Sequence, residues 1–536
     1  MREIITLHLN QRPITPRSRM MMPYLFLLPF GLLLLAGCAT NPVTGESELG
    51  MISESSELQI GREQYSPSRQ MQGGDYILDP VLTRYVKRVG AKVAEVSDRR
   101  LPYEFAILND SAPNAWALPG GKIAVNRGLL LELDNEAELA AVLGHEVVHA
   151  AARHTAQGIE REVLLQGALE VAGSMAGNSS YGGLAVGAAA VGANLLNQRY
   201  SRDAELESDY YGMIYMQRAG YDPRAAVDLQ ETFVRLAEDR NENWLNGLFA
   251  SHPPSRERVE ENLETLAGLG GGGGRLGTED YRRTMAGLRK SRAAYEAYDK
   301  GRSLVEKQPA QALKLAGKAI AIEPREALFY SLRGDALARQ GKLAEAGAAY
   351  DQAVVRNDGY FLYYLQRGLV RQELGAADGA ESDLQRSVSL LPTAQAHYGL
   401  GLIARDREDR QTALKHFGIA AESNSKTGKA AKRELMQIEL SRSPERYLQA
   451  RVARDASGRL LVQVSNGTAA TVKNLVVLYG RLDASGQIYR GSSHRLDRAL
   501  RPGERASFQT PITGIVSSGR LKKFGARVVD AELVFN

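Results

Sequence analysis

A step of 34 residues runs through the second half of this chain. Gly334 and Gly368 are 34 apart, and Gly401 lies 33 further on. Ala312, Ala346, Ala380 and Ala413 keep the same interval within one residue, while Pro324 and Pro392 stand two intervals apart. Tyr350, Leu384 and Phe417 repeat a large residue at one place in three successive units. A unit this short cannot bury an apolar face alone, so stacked copies must share a continuous core. Small residues at helix crossings then predict an α-solenoid of roughly four helix pairs, from about 290 to about 430.

With Pro near its end, the unit resembles the tetratricopeptide repeat, which implies a concave face suited to a protein partner. Gly270-Gly271-Gly272-Gly273-Gly274 lies just upstream. Five consecutive glycines cost too much entropy for a helix interior. Residues 267–278 are therefore expected to be a linker between a domain at 51–266 and repeats at 279–440. Beyond Pro444, apolar runs at Leu460–Val464, Leu475–Tyr479 and Ala531–Phe535 are separated by Asn466-Gly467, Ser485-Gly486 and Pro502-Gly503 turns. Residues 446–536 read as an antiparallel β-sandwich without a catalytic signature, an interaction or spacer module.

The chemistry lies upstream of the glycines, in His145-Glu146-Val147-Val148-His149. Asn135 with Glu138 resembles a capping box, and Leu139, Val142, Leu143 and Val147 recur at helical spacing. Positions four apart share a helix face, so both imidazoles can aim at one tetrahedral zinc. Glu146 is then placed to take a proton from water activated there. A core helix with merely hydrogen-bonded histidines fits the same five residues, so a third ligand decides. The extended form of the motif needs glycine at position 152 and histidine at position 155, where this chain has Ala152 and Thr155. His154 misses by one and points about 180° from His145, as a surface or outer-layer histidine.

The other source is Arg202-Asp203-Ala204-Glu205-Leu206-Glu207-Ser208-Asp209. Glu205 and Asp209 stand four apart on one face, with Glu207 rotated by about 200° from Glu205. Glu205 as ligand, with Asp209 supporting a histidine from behind, satisfies the need of zinc sites for an outer layer. A charged, solvated helix face reads equally from these residues alone.

These two motifs, preceded by Asn114-Ala115-Trp116-Ala117-Leu118-Pro119-Gly120-Gly121-Lys122-Ile123, resemble the gluzincin metallopeptidases. That family includes the CAAX prenyl protease, the HtpX heat-shock protease and, nearest in organisation, the periplasmic β-barrel assembly-enhancing protease. The resemblance spans about residues 50 to 265 and implies an α+β zincin-like domain holding one Zn2+ per chain. It implies His145, His149 and Glu205 as ligands and Glu146 as general base. It also implies a sheet edge at Asn114, Ala115, Trp116 and Ala117 that pairs with the substrate backbone, although Trp116 reads equally as a core indole. His252-Pro253-Pro254-Ser255-Arg256-Glu257-Arg258 resembles a stretch whose histidine fills the fourth zinc position and keeps the enzyme latent. A loop histidine ahead of a helix capped by Ser255 is the plainer reading of His252.

Before the domain, Pro80–Val93 carries Val81, Tyr85, Val89 and Val93 at four-residue spacing, expected to form one buried stripe. Arg2, Arg12, Arg17 and Arg19 precede an apolar run from Tyr24 to Leu35, and Leu35-Ala36-Gly37-Cys38 has the form of a bacterial lipobox. Residues 1–37 are expected to be a lipoprotein signal peptide, and the polar residues 38–50 a tether. Cys38 is the only cysteine, which excludes an intrachain disulfide and a thiolate zinc cluster and leaves lipidation as its use. Ala39 after it resembles the sorting pattern of outer-membrane lipoproteins, implying the periplasmic face of that membrane. Loss of residues 1–37 removes four arginines and Glu3 and lowers the formal charge from +5 to +2, so a nucleic-acid partner loses its support. The Gly- and Ala-rich stretch Gly167–Leu196 holds no window of about 18 uninterrupted apolar residues and reads as close-packed helices.

The expectation is a lipid-anchored zinc endopeptidase of the bacterial envelope. Its setting would be protein quality control or outer-membrane protein assembly, with unfolded or misassembled envelope proteins as substrates. The alternative is an envelope chaperone or scaffold that binds clients through its repeats, with proteolysis latent or secondary.

Overall fold

The computed structural model describes residues 38–162, 199–239, 251–440, 442–468, 470–515 and 517–534. The expected signal peptide and the Gly- and Ala-rich stretch lie outside the described residues, as does the side chain of Cys38. Among the described residues, no helix is long and apolar enough to cross a membrane.

The expected tether is a hairpin. Strand β1 (Cys38–Thr40) pairs antiparallel with β2 (Ser47–Leu49). Asn41 closes the turn, accepting on Oδ1 from Val43 N at 2.9 Å and donating its own N–H to Glu46 O at 2.8 Å. A short polar stretch with Pro and Gly can satisfy its backbone this way, and composition alone does not separate that from a loose spacer.

Helix α1 (Glu54–Met71) is capped by Ser53, and α2 (Pro80–Ala94) by Asp79. The expected stripe on α2 holds for Tyr85, Val89 and Val93, but Val81 is 59% exposed and Leu82 and Val86 are buried instead. Strict four-residue spacing drifts about 40° per step around a helix, so four such residues cannot all stay on one face.

Strands β3 (Glu104–Leu108), β4 (Ala115–Leu118) and β5 (Lys122–Asn126) form a sheet in the order β3-β5-β4, with β3 parallel and β4 antiparallel to β5. Both faces are covered. Tyr65 of α1 packs with Trp116, Leu118 and Ala124 on one side, while Phe105, Ile107, Ile123 and Val125 join the main core with α2 on the other. After α3 (Arg127–Leu130), helix α4 (Glu136–Ala151) crosses α5 (Arg202–Arg218), with α6 (Arg224–Asp239) and α7 (Arg256–Gly268) alongside.

The glycine run, expected to be a linker, is a turn within one packed body. Gly270 to Gly274 take φ values of 94, 83, 102, 110 and 135°, which side chains resist. The chain is thereby laid back on the domain: Arg275 N donates to Gly220 O and Ala137 N to Leu276 O, each at 3.0 Å. Helix α8 (Thr278–Lys290) then buries Tyr281, Met285 and Leu288, with the Tyr281 hydroxyl donating to Leu130 O at 2.6 Å.

The repeats form four helix pairs: α9 (Arg292–Leu304) with α10 (Pro309–Ile322), α11 (Ala327–Arg339) with α12 (Leu343–Arg356), α13 (Phe361–Glu373) with α14 (Ala377–Leu390), and α15 (Ala394–Asp406) with α16 (Arg410–Ala421). Helix α17 (Lys426–Leu440) follows. The periodic small and large residues meet as the spacing demands. A Cβ added at Gly334, Gly368 or Gly401 would come within 2.4, 3.0 or 2.6 Å of Tyr350, Leu384 or Phe417.

The solenoid and the upstream domain share a core. The Arg127 guanidinium lies 3.3 Å from the Tyr295 ring centroid and donates to Asn109 Oδ1 at 2.8 Å. Asn109 Nδ2 and the Tyr295 hydroxyl both donate to Glu326, at 3.1 and 2.6 Å. Gln70 brackets the third repeat, accepting from Phe361 N and donating to Gly359 O.

The C-terminal module has its own core. Strands β6 (Leu448–Arg454), β7 (Leu460–Asn466) and β10 (Arg505–Gln509) form one antiparallel sheet; β8 (Thr471–Leu482), β9 (Ile488–Arg495) and β11 (Phe524–Val534) form the other. Alternating burial along β7 turns Leu460, Val462 and Val464 inward, as a sandwich requires.

Candidate active site

The cap of α4 is the one its sequence predicts. Asn135 Oδ1 accepts from Glu138 N at 2.9 Å, and Glu138 reaches back to Asp134 N at 2.7 Å. The helix then runs unbroken through His145 and His149, whose Nε2 atoms lie 2.9 Å apart.

Helix α5 supplies the carboxylates. Glu205 Oε2 is 3.5 Å from His145 Nε2, and Glu205 Oε1 is 3.4 Å from His149 Nε2. Asp209 Oδ1 sits 2.9 Å from His145 Nδ1, on the far side of that ring. Ionised at Oδ1, it makes His145 carry its proton on Nδ1 and leaves Nε2 free for a metal. Glu207 turns away from the site, toward His154.

His252 enters from the loop before α7. Its Nδ1 is 2.9 Å from Glu205 Oε1 and 3.2 Å from His145 Nε2. Its Nε2 faces Glu146 Oε1 at 3.6 Å and, though buried, has no hydrogen-bond partner among the described residues. Ser255 does cap α7, as the plainer reading of this stretch expects, yet His252 is only 4% exposed and faces the other histidines.

Burial sets the charge states, modified by neighbours. Burial pushes the Glu146 carboxyl up from its ordinary value and holds the His149 imidazole well below its own. For Glu205 burial acts upward, but His252 and His145 outweigh it and hold the carboxyl well below the usual range. Burial likewise opposes Arg258 at Asp209, and the arginine wins. These residues fit a zinc ion. Ligand atoms of His145, His149, Glu205 and His252 all lie within 4.8 Å of one another, a neutral imidazole and an ionised carboxylate are the forms that bind, and Glu146 Oε2 has no hydrogen-bond partner among the described residues.

Residues 80–266 match the sequence profile of peptidase family M48. This segment is an M48 peptidase domain. The mitochondrial metalloendopeptidase OMA1 of Schizosaccharomyces pombe is 32% identical over 236 residues, 42% of this chain and 65% of that protein. The beta-barrel assembly-enhancing protease of Escherichia coli strain K12 is 27% identical over 238 residues, 41% of this chain and 46% of that protein. The chain thus spans less than two thirds of either relative's length. The first TPR domain of the human RPAP3 protein is similar to 23% of this chain and 98% of its own length, with 23% identity and a TM-score of 0.22. The resemblance carried by His145–His149 and Glu205–Asp209 is therefore to the M48 family.

Two residues of the M48 domain's site escaped the sequence reading. Arg258 donates from Nε and Nη2 to both oxygens of Asp209 at 2.7 Å and places Nη1 2.8 Å from Glu205 Oε2. The available signal was its place at the end of the His252–Arg258 stretch. Tyr200 stacks on His149 with ring centroids 3.7 Å apart and an interplanar angle of 23°; no spacing in the sequence points to it.

Strand β4, which carries Ala115, Trp116 and Ala117 of the expected substrate edge, is one of the two outer strands of its sheet. Asn126 N donates to Asn114 O at 2.8 Å, so by antiparallel alternation Ala115 and Ala117 turn their backbone groups outward. Ala117 O is already taken, by the hydroxyls of Thr155 at 3.1 Å and Tyr200 at 3.4 Å. Trp116 is a core indole: 6% exposed, edge-on to Tyr65, and donating to Gln72 Oε1 at 2.8 Å.

Proposed function

We propose that the chain is a zinc-dependent endopeptidase, held by a lipid on Cys38 at the periplasmic face of the bacterial outer membrane. It acts on unfolded or misassembled envelope proteins, in quality control or outer-membrane protein assembly. The observation that carries this reading is the convergence of His145, His149 and Glu205 from two crossing helices, with Glu146 beside them. The envelope setting is supported by the lipobox at Cys38 and by the similarity to the beta-barrel assembly-enhancing protease of Escherichia coli.

Zinc, when bound, supplies a Lewis acid for the scissile carbonyl and for the attacking water. The chain's own residues do the rest. Glu146 takes the water's proton on Oε2 and delivers it to the leaving amine, a task for which a carboxyl raised by burial is better matched near neutral pH. Asp209, gripped by Arg258, fixes the ring of His145. An extended substrate adds to the outward groups of Ala115 and Ala117, flanked by Asn114 and Trp116 along the same segment, displacing Tyr200 and Thr155 from Ala117 O. His252 closes on the other three candidate ligands, which supports a latent state with His252 as a removable fourth ligand.

The test is metal content and casein cleavage by the purified mature protein, with and without chelator. One zinc per chain and cleavage lost both to chelator and in Glu146→Gln, by about 10²-fold or more, are expected. Near wild-type cleavage by zinc-loaded Glu146→Gln would reject the mechanism.

A scaffold role rests on a separate feature, the groove of about 540 Å³ lined by Arg302, Asp335, Arg339, Tyr350 and Gln366 on the repeats. Client binding there by zinc-free protein would favour it.

A further inference from the structure

A line of hydrogen bonds connects the N-terminal hairpin to His149, and the chemistry above makes no use of it. It begins with an unusual turn. After α4 the chain reverses at Arg153, whose φ of 64° is a left-handed conformation that residues with a Cβ seldom adopt. The turn is held from outside: Arg153 Nε donates to Glu57 Oε2 at 3.2 Å and Nη2 to Ile52 O at 2.6 Å. Glu57 is itself clamped by both terminal nitrogens of Arg99, at 2.9 and 3.0 Å. Strain maintained by this many contacts marks a place where geometry matters.

The turn returns His154 to the back of His149. The two Nδ1 atoms lie 2.9 Å apart, and His154 is 3% exposed. With Nε2 of His149 facing Glu205, its proton belongs on Nδ1 and is donated to His154 Nδ1. His154 must then carry its own proton on Nε2, which faces Glu207 Oε1 at 3.4 Å. Asn41 Nδ2 donates to that same oxygen at 3.1 Å and to Glu48 Oε1 at 2.9 Å, from a side chain that is 1% exposed. The donors of His149 and His154 run outward from the metal site and that of Asn41 comes in from the hairpin, so the line converges on the Glu207 carboxylate.

Resting on the metallopeptidase reading, we propose that His154, Glu207 and Asn41 form a positioning relay that fixes the tautomer and orientation of the ligand His149. The hairpin is thereby part of the outer layer of the metal centre. Asn41 lies three residues after Cys38, so a load or displacement applied at Cys38 reaches Glu207, and through His154 the ligand itself. A chain cut within the hairpin holds zinc less well.

The experiment uses the full mature chain and reads zinc affinity by chelator competition, together with the visible spectrum of the cobalt-substituted protein. Glu207→Gln is expected to bind zinc about tenfold more weakly or worse, to shift the cobalt bands, and to lower kcat with KM unchanged while melting with the wild type. His154→Gln, which keeps a donor and an acceptor, is expected to retain more zinc affinity than His154→Ala. Asn41→Leu weakens zinc binding several-fold, and added to Glu207→Gln it has no further effect. Wild-type affinity and cobalt spectrum in Glu207→Gln would overturn the relay. Wild-type affinity in Asn41→Leu, or independent multiplication of the two effects, would remove the hairpin from it. Failure of the wild type to bind zinc would instead sink the metallopeptidase reading, so the two are distinguished.

Discussion

Gly144 and Gly212 face each other where α4 crosses α5. A Cβ on Gly144 would meet Gly212 O at 3.3 Å, and one on Gly212 would meet His145 N at 3.2 Å. Neither neighbour is a side chain that can swing away. The close crossing lets a carboxylate on one helix reach a histidine on the other, so the metal site depends on two residues that carry no chemistry. Gly212→Val is expected to force the helices apart, costing ~1–3 kcal/mol in stability and most of the zinc affinity. Thermal melts and chelator competition on the purified variant check both; a variant that binds zinc like the wild type would show that the crossing has slack.

His252 Nδ1 stands 3.2 Å from His145 Nε2 and 2.9 Å from Glu205 Oε1, the contacts on which the proposed latch rests. His252→Ala is expected to raise basal casein cleavage by about tenfold, equivalent to ~1.4 kcal/mol in the balance between covered and open sites. Zinc should bind less tightly at the same time, so the assay needs zinc in excess. Unchanged or lower turnover in the zinc-loaded variant would count against the latch.

The site's legibility followed sequence distance. Helical spacing puts His145, Glu146 and His149 together once Asn135 and Glu138 declare where α4 starts, and the same rule pairs Glu205 with Asp209 on α5, while the family resemblance chose a metal site over plain buried or solvated faces. The Gly334, Gly368 and Gly401 positions were readable because a repeat prints its packing at a fixed interval. Arg258, Tyr200 and the inward turn of His154 were not, since each depends on a contact between elements: an Asp209 clamp, a ring stack, a left-handed Arg153 held by Glu57. The glycine run misled for a related reason. Its composition specifies a backbone without a helix, and only Gly220 and Ala137, far away in sequence, decide that it lies against the domain.

His397 and His416, in the last repeat, face each other through Nδ1 atoms 2.9 Å apart. Burial, then the positive charge of His416 and Lys415, pulls His397 down to about 4; burial also lowers His416, with Glu381 acting the other way. A folded pKa below the unfolded value near 6.5 means the unfolded chain binds more protons in between. The pair's contribution is therefore fully present above that value and is lost as pH falls toward about 4. His397→Asn is expected to flatten part of the decline in Tm between about pH 7 and about pH 5. Parallel wild-type and variant curves would show that the pair does not titrate on unfolding.

Truncation at the glycines is expected not to release an active peptidase. Tyr281, Met285, Leu288 and Tyr295 lie after the run and are almost fully buried against the M48 domain or the repeats beside it. Removing residues 280–536 would also strip Arg127 of its ring partner and Asn109 of Glu326, leaving a cation buried in the intact chain with an uncovered, half-satisfied face. The residues 38–279 fragment should therefore aggregate or bind zinc weakly. The interface can be probed without a cut. Arg127→Met keeps the volume but loses the guanidinium, and is expected to cost about 3 kcal/mol in the full chain. Denaturant unfolding should remain a joint transition of peptidase and repeats, with its midpoint lowered in Arg127→Met. A soluble fragment with full casein activity would mean that Tyr281 and Tyr295 pack against a domain that does not need them.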